Sequence, residues 1–270
     1  MTAAADAVRE ALRARGRDWP APIEGHAVLA STNDRLRERA REGAPEWTAV
    51  LAGEQTGGRG RPGRGWASPR GGLYLSVLLR PSLAAAGLLP LAAGVAVADA
   101  LRAEGVPAEL KWPNDVLAGE RKLAGLLAEA SSSASGVDWV VLGVGVNLAG
   151  DAAAWPEDLR GSATSVEALT GRVVPPPEAA AAVLGHLWRW YDVLRAEPSS
   201  VVEAWRARSV PWWGRRVELR SAGGSVTGVA AGLDATGALV LALDDGSRAV
   251  FLSGEVTRLR LEPSGLPEGR

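Results

Sequence analysis

The sequence predicts an α+β protein in two parts. A mixed, mostly antiparallel sheet with packed helices is expected over residues 1–211, and a small all-β barrel or sandwich over residues 212–270. Three observations carry this reading. Segments with apolar residues at helical spacing are interspersed with short apolar runs bounded by Gly, Pro, Asn and Asp. The central runs are joined by the tight turns Pro113-Asn-Asp115 and Ala118-Gly-Glu120. Past Pro211 the pattern changes to five short alternating segments, VELR, SVTGVAA, ALVLAL, RAVFL and VTRLR, within fewer than fifty residues.

Taken in order, residues 3–15 form a helix with Val8 and Leu12 on its apolar face. Ser31-Thr-Asn-Asp34 starts a second, which Gly43 stops. Residues 47–52 are a strand. Residues 55–72 are too rich in Gly, Arg and Pro for a regular element and form a loop. Residues 73–79, LYLSVLL, are a strand, and 90–104 a helix with Pro90 in its first turn. Strands follow at 109–111, 116–117 and 122–130, a small-residue turn at 131–136, and a continuous apolar strand at 138–147. Thr164-Ser-Val-Glu167 is a capping box, Pro175-Pro-Pro177 a linker, and 177–196 a helix with Val183, Leu187, Tyr191 and Leu194 in one stripe. Ser200 caps another helix.

Composition narrows the function. A chain of 270 residues, 47% hydrophobic and 23% charged, can bury a sizeable core. A net charge of -1 provides no general pull toward DNA or anionic membrane. The absence of cysteine excludes disulfides, thiolate metal sites and cysteine nucleophiles. No apolar signal segment opens the chain, and the apolar stretch 83–101 is broken by Gly87, Pro90, Gly94 and Asp99. The expected location is cytoplasmic. His26 and His186 lie far apart with no partner motif, so neither a triad nor a zinc hydrolase is expected.

Rare residues mark the candidate site. Of 30 basic residues only Lys111 and Lys122 are lysines. Asparagine occurs only as Asn33, Asn114 and Asn147, and glutamine only as Gln55. Lysine is a compact point charge that an arginine fork cannot always replace. Between two strands lies Gly57-Gly-Arg-Gly-Arg-Pro-Gly-Arg-Gly-Trp66. Arg59, Arg61 and Arg64 offer bidentate donors to carboxylate and phosphate. The glycines bring backbone N–H groups close to a ligand, and Trp66 offers a flat face to a purine. The loop therefore reads as an anion clamp for a polyphosphate together with an organic acid. Its glycines are expected to leave residues 57–65 mobile when empty. Lys111 precedes the Asn114-Asp115 turn, Lys122 starts a strand, and Gly125 inside that strand marks close approach. Asn147 ends the buried strand after Gly143-Val-Gly145. Glu54, Asp115 and Glu129 are acidic candidates without recognisable metal-ligand spacing.

In this order, Ser-Thr-Asn, Gln-x-x-Gly-Arg-Gly-Arg-x-Gly-Arg-x-Trp, Lys-Trp-Pro-Asn-Asp, Arg-Lys-Leu-Ala-Gly and Gly-x-Gly-x-Asn resemble the motifs of biotin protein ligases. Gly232-Leu-Asp-x-x-Gly-Ala-Leu239 and Gly254-Glu-Val256 resemble their small SH3-like C-terminal barrel. The resemblance covers about residues 25–260. It implies a catalytic fold like that of class II aminoacyl-tRNA synthetases. It also implies ATP- and Mg²⁺-dependent activation of biotin as biotinyl-5′-AMP, then transfer to a lysine of a biotin carboxyl carrier domain. By the same resemblance Ser31, Thr32, Asn33, Gln55, Gly58, Gly60 and Gly125 are biotin contacts. Arg59, Arg61 and Lys122 lie over the carboxylate and phosphates, with Arg59 and Lys122 catalytic. Arg64, Trp66, Lys111, Asn114 and Asn147 join Arg61 at the nucleotide, and Asp115 is the candidate metal ligand. A monomer or weak homodimer is expected.

Some members of that family carry an operator-binding winged helix. Here one helix precedes the Ser-Thr-Asn motif, so a ligase that does not bind DNA is expected. Three alternatives stand beside this reading: a lipoate or octanoate ligase, a nucleic-acid-binding module that uses the Gly/Arg loop, and a catalytically inactive biotin sensor.

Overall fold

The computed structural model describes residues 3–61, 63–134, 136–150, 157–221 and 223–258. The chain divides into two compact units, residues 1–209 and 210–270. The first is built on a seven-stranded sheet. Its strands are β1 (Ile23–His26), β2 (Ala49–Ala52), β3 (Leu73–Leu79), β4 (Ala108–Lys111), β5 (Asp115–Ala118), β6 (Arg121–Ser133) and β7 (Gly136–Val146). Their order is β1-β2-β3-β7-β6-β5-β4. Only β1 and β2 run parallel; every other neighbouring pair is antiparallel.

Helices cover the sheet, which is why the central strands read as unbroken apolar runs. All seven residues of β3 are buried. Helix α2 (Thr32–Arg41) packs on β2, β3 and β7, burying Leu36 and Ala40 against Val50, Leu78, Trp139 and Val141. Helix α4 (Leu89–Ala103) is buried almost all round, because β4, β5 and β6 meet it on one side and α6 (Pro176–Ala196) and α7 (Pro198–Arg208) on the other. Helix α1 (Ala3–Ala14) lays Ala5, Val8 and Leu12 toward α6 and β1. Two short helices, α3 (Leu83–Ala86) and α5 (Val166–Thr170), complete the unit. Among the described residues no helix is long and apolar enough to cross a membrane.

Several expectations need correction. The turn expected at 131–136 is shorter, because Ser131, Ser132 and Ser133 still pair with Trp139, Val137 and Gly136 across a bulge. Pro175-Pro-Pro177 is no linker: Pro175 is the N-cap of α6 and the next two prolines occupy its first turn, where no N–H donor is required. Ser165, not Thr164, caps α5 by accepting from the N–H of Ala168. Ser200 lies inside α7, which starts with Pro198.

In the second unit β8 (Arg216–Ser221), β9 (Gly224–Leu233), β10 (Leu239–Ala242), β11 (Arg248–Phe251) and β12 (Glu255–Arg258) form one antiparallel sheet, in the order β11-β10-β9-β8-β12. Val217, Leu219, Ala230, Leu239, Leu241 and Val256 are its buried side chains. Among the described residues β11 and β12 are edges that do not pair with each other, so the expected barrel is an open sheet by hydrogen bonding.

Candidate active site

Cross-strand register assembles the floor of the site. Partners in adjacent strands carry their side chains on the same face. Tyr74, Gly145, Gly125 and Asp115 therefore form one row across β3, β7, β6 and β5. Ser76, Gly143 and Leu127 form the next, and Leu78, Val141 and Glu129 the third. Helix α2 covers the third row and its N-terminus stands over the second. In a regular strand Lys122 and Gly125, three positions apart, would point to opposite faces. Here Val116 pairs with Ala124 and Leu117 with Lys122. Leu123 is thus an extra residue, and this bulge returns Lys122 to the face of Gly125.

A chain of polar groups runs along the helix side of the cleft. Ser31 caps α2, its hydroxyl accepting from the Asp34 N–H. Gln55 accepts from the Thr32 N–H at 2.8 Å and the Thr32 hydroxyl at 3.1 Å, and donates to Ser68 at 2.9 Å. The Ser76 hydroxyl lies 2.8 Å from Thr32 Oγ1 and 2.6 Å from Asn33 Oδ1. Asn33 in turn donates to Glu129 at 2.8 Å. Gly143 makes room for this contact: a Cβ there would lie 2.4 Å from Asn33 Oδ1. Networks of this kind fix the orientation of every member, since each buried group depends on the next.

The Gly/Arg loop folds back as a small hairpin. Trp66 N–H donates to Gly58, Gly60 N–H to Arg64, and Arg59 bridges Gly65. Gly58 lets the hairpin's two strands close up, since a Cβ there would come 2.3 Å from the Trp66 carbonyl oxygen. One strand of the hairpin is held by Arg59, whose guanidinium reaches Asp34 on α2 and Glu129 on β6. Desolvation lowers the pKa of Arg59, but the bond to Asp34 and the charge of Glu129 more than offset it and raise the pKa above its ordinary value. The other strand is held by Trp66. Its indole lies on the glycine floor, so a Cβ on Gly145 or Gly125 would come within 2.6 or 2.9 Å of the ring. The buried Trp66 Nε1 makes no hydrogen bond to the described residues.

The far wall carries Lys122. Its ammonium lies 2.6 Å from Asp115 and 5.3 Å from the centre of the Trp66 ring. Asn114 donates to the Leu126 carbonyl at 2.7 Å, leaving its Oδ1 buried and without a hydrogen bond among the described residues. Burial pushes the Tyr74 hydroxyl well above its ordinary pKa, with a smaller contribution from the Glu54 charge. The hydroxyl donates to the Pro69 carbonyl at 2.6 Å.

Of the residues singled out from sequence, Ser31, Thr32, Asn33, Gln55, Arg59, Gly60, Arg61, Arg64, Trp66, Asn114, Asp115, Lys122 and Gly125 all line this one cleft. Gly58, Lys111 and Asn147 do not. The Asn147 amide braces the wall instead, donating to Thr164 at 3.0 Å and to Lys122 O at 3.5 Å. Lys111 sits at the end of β4, paired in register with Asp115. One side of the Trp66 ring meets the glycines at the floor. Glu129, weighed as a metal ligand or base, accepts from Asn33, Arg37 and Arg59. Ser76 was missed, and Gly143 was read only as part of Gly-x-Gly-x-Asn, without a site role. The signal for Ser76 was there: it is the only strongly polar residue inside LYLSVLL. Among the described residues no group of three or more His, Cys, Asp or Glu could hold a metal ion.

The arrangement can hold an uncharged polar head against the Thr32–Gln55–Asn33 network. It can also bring a carboxylate and a phosphate together near Arg61, Arg64 and Lys122.

Comparison with known proteins agrees with that chemistry. A model of the biotin/lipoate A/B protein ligase family matches residues 25–147, and a model of the biotin protein ligase C-terminal domain matches 213–258. The biotin–[acetyl-CoA-carboxylase] ligase of Mycobacterium tuberculosis is 38% identical over 264 residues, covering 94% of each chain. The bifunctional ligase/repressor BirA of Bacillus subtilis is 32% identical over 235 residues, 84% of this chain and 71% of that one. Among solved structures, the Aquifex aeolicus biotin protein ligase in complex with biotin and ATP superposes with a TM-score of 0.76 at 30% identity. It covers 89% of this chain and 99% of that one.

Proposed function

The chain belongs to the biotin protein ligases, and we propose that it activates biotin with ATP and transfers it to a biotin carboxyl carrier domain. The observation that carries this reading is the single cleft joining the Thr32–Gln55–Asn33 network to Lys122, Arg61 and Arg64. The ring of biotin is uncharged and polar, with donors and an acceptor that match the network. Its valeryl chain suits the apolar strip beside Gly143 and Leu127. Its carboxylate then reaches the cations.

In the first step a carboxylate oxygen attacks the α-phosphorus of ATP. A new P–O bond forms, the bond to the β-phosphate oxygen breaks, and pyrophosphate leaves. The barrier includes repulsion between two anions, which Lys122, Arg61 and Arg64 offset while holding them in line. In the second step the neutral amine of the carrier lysine attacks the acyl carbon of biotinyl-5′-AMP. An amide forms, AMP leaves and the amine loses a proton. Neither step requires a nucleophilic side chain.

Mg²⁺ accompanies this reading as the companion of the triphosphate. The residues fit a cation that keeps phosphate and water ligands, with Asp115 as the one cleft carboxylate among the described residues at the Lys122 corner. The second unit is proposed as the SH3-like module of the family, and the molecule as a cytoplasmic monomer or weak homodimer that does not bind DNA. The nucleic-acid alternative is disfavoured by the loop itself, whose hairpin folds into the cleft and whose Arg59 is committed to Asp34 and Glu129.

The test is pyrophosphate release and carrier mass with ATP and either biotin, lipoate or octanoate. Biotin-dependent turnover and biotin's mass added to the carrier are expected. Equal rates with all three acids would sink the biotin assignment.

A further inference from the structure

The geometry points to Arg59 as a positioning residue: with Asp34 and Glu129 it forms a latch that fixes the 58–66 hairpin over the cleft, and it does not itself bind the substrate anions. This deepens the proposed function and rests on it.

Four observations support the latch. The Arg59 fork bonds to two carboxylates from two different elements, α2 and β6. A planar fork shared between two acids spends its directional donors on protein. Glu129 is 17% exposed in its side chain and also accepts from Asn33 at 2.8 Å, so the latch connects to the network lining the cleft. Arg37 bonds to the same Asp34 and reaches Glu129 at 3.3 Å. Two acids thus face two arginines, and the cluster keeps a cation when Arg59 is removed. Finally, the hairpin is seated at both feet: Arg59 on the carboxylates, Trp66 on the glycines of β6 and β7. Arg61 and Arg64 lie between those feet and line the cleft.

A latch and an anion contact differ in what Glu129 does. If Arg59 acts through Glu129, removing either partner has the same consequence. If Arg59 touches the anions, Glu129 matters little. The experiment compares wild type, Arg59→Gln, Glu129→Gln and the double variant in biotin-dependent pyrophosphate release. Each single variant is expected to raise the KM for biotin about tenfold with kcat within about twofold, and the double variant to be no worse than the worse single one. A large loss of kcat in Arg59→Gln beside near-wild-type Glu129→Gln would overturn the proposal, as would additive effects.

A second readout needs no turnover. Trypsin cleavage after Arg64 in the ligand-free protein should be several-fold faster in Glu129→Gln than in wild type, by the loss of a charge-assisted restraint. Equal cleavage rates would overturn the latch. If Glu129→Gln does not fold, as judged by circular dichroism, Asp34→Asn at the more exposed arm takes its place with the same expected directions. A wild type that adenylates none of the acids would defeat the functional reading while the cleavage comparison still decides the latch.

Discussion

Two ion-paired corners face each other across the cleft, and they differ in how firmly the cation is held. Arg59 and Lys122 are about equally exposed, 35% and 36% in their side chains. Arg59 spans two carboxylates on two elements. Among the described residues Lys122 pairs with one carboxylate, Asp115 at 2.6 Å, next to a glycine and an aromatic face. A fork tied at both ends is expensive to release, whereas an ammonium with one acceptor keeps two donors for an incoming carboxylate and phosphate. One corner is built to stay and the other to exchange partners. This is a physical reason for a lysine here in a chain whose basic residues are all arginine but for Lys111 and Lys122.

The largest expected effect breaks the exchanging corner. Lys122→Ala should lose about two to three decades of adenylation rate, the usual cost of removing one charged transition-state donor. Lys122→Arg should keep the charge yet lose much of the rate, because a bulky planar fork cannot sit between two anions as an ammonium does. Single-turnover adenylation measures both. Wild-type kinetics in Lys122→Arg would show that lysine is retained for another reason.

Gly143→Ala attacks the network linking the latched corner to the cleft. Its Cβ would meet Asn33 Oδ1 at 2.4 Å and force the amide off Ser76 and Glu129. Leaving such buried groups unpaired costs about 1–3 kcal/mol, so denaturant melts should show a loss of that size together with a raised KM for biotin. An unchanged melt and KM would mean that Asn33 is not held as described.

Asp115→Asn sharpens the contrast from the other side. It removes the resting partner of Lys122 without removing the cation. Adenylation should fall by about tenfold at most, far less than in Lys122→Ala. A loss equal to that of Lys122→Ala would make Asp115 indispensable in its own right. A shift confined to the magnesium concentration required would identify it as the metal's carboxylate. The smallest effect is expected for Lys111→Arg, whose side chain lies outside the cleft lining. Rates within about twofold of wild type are anticipated by the same steady-state assay.

The site was legible in proportion to how much its chemistry depends on residue type. Lys122, Gln55, Asn33 and the arginine loop stood out because they are rare or dense in this composition, and all of them line the cleft. Asn147 was as rare and looked equally functional. Its amide nitrogen ties the Thr164 and Lys122 backbone together, a structural task that by itself needs this side chain. Rarity identifies a demand for an amide without saying who receives its hydrogen bonds. Ser76 and Gly143 show the converse. A serine in an apolar strand and a glycine among valines are ordinary until register places them opposite each other beneath Asn33.

By itself the sequence determined the elements: helices from apolar spacing and caps, strands from short apolar runs, and the change of architecture past Pro211. These are local properties, set by backbone preference and by which face must leave water. Tertiary structure alone decided which face each site residue occupies. The bulge at Leu123 turns Lys122 toward Gly125, and no alternation pattern along the chain contains that reversal. It also decided that Arg59 is tied to Asp34 and Glu129, residues 25 and 70 positions away. Pairing over such separations follows from strand order and helix placement, which local preference does not encode.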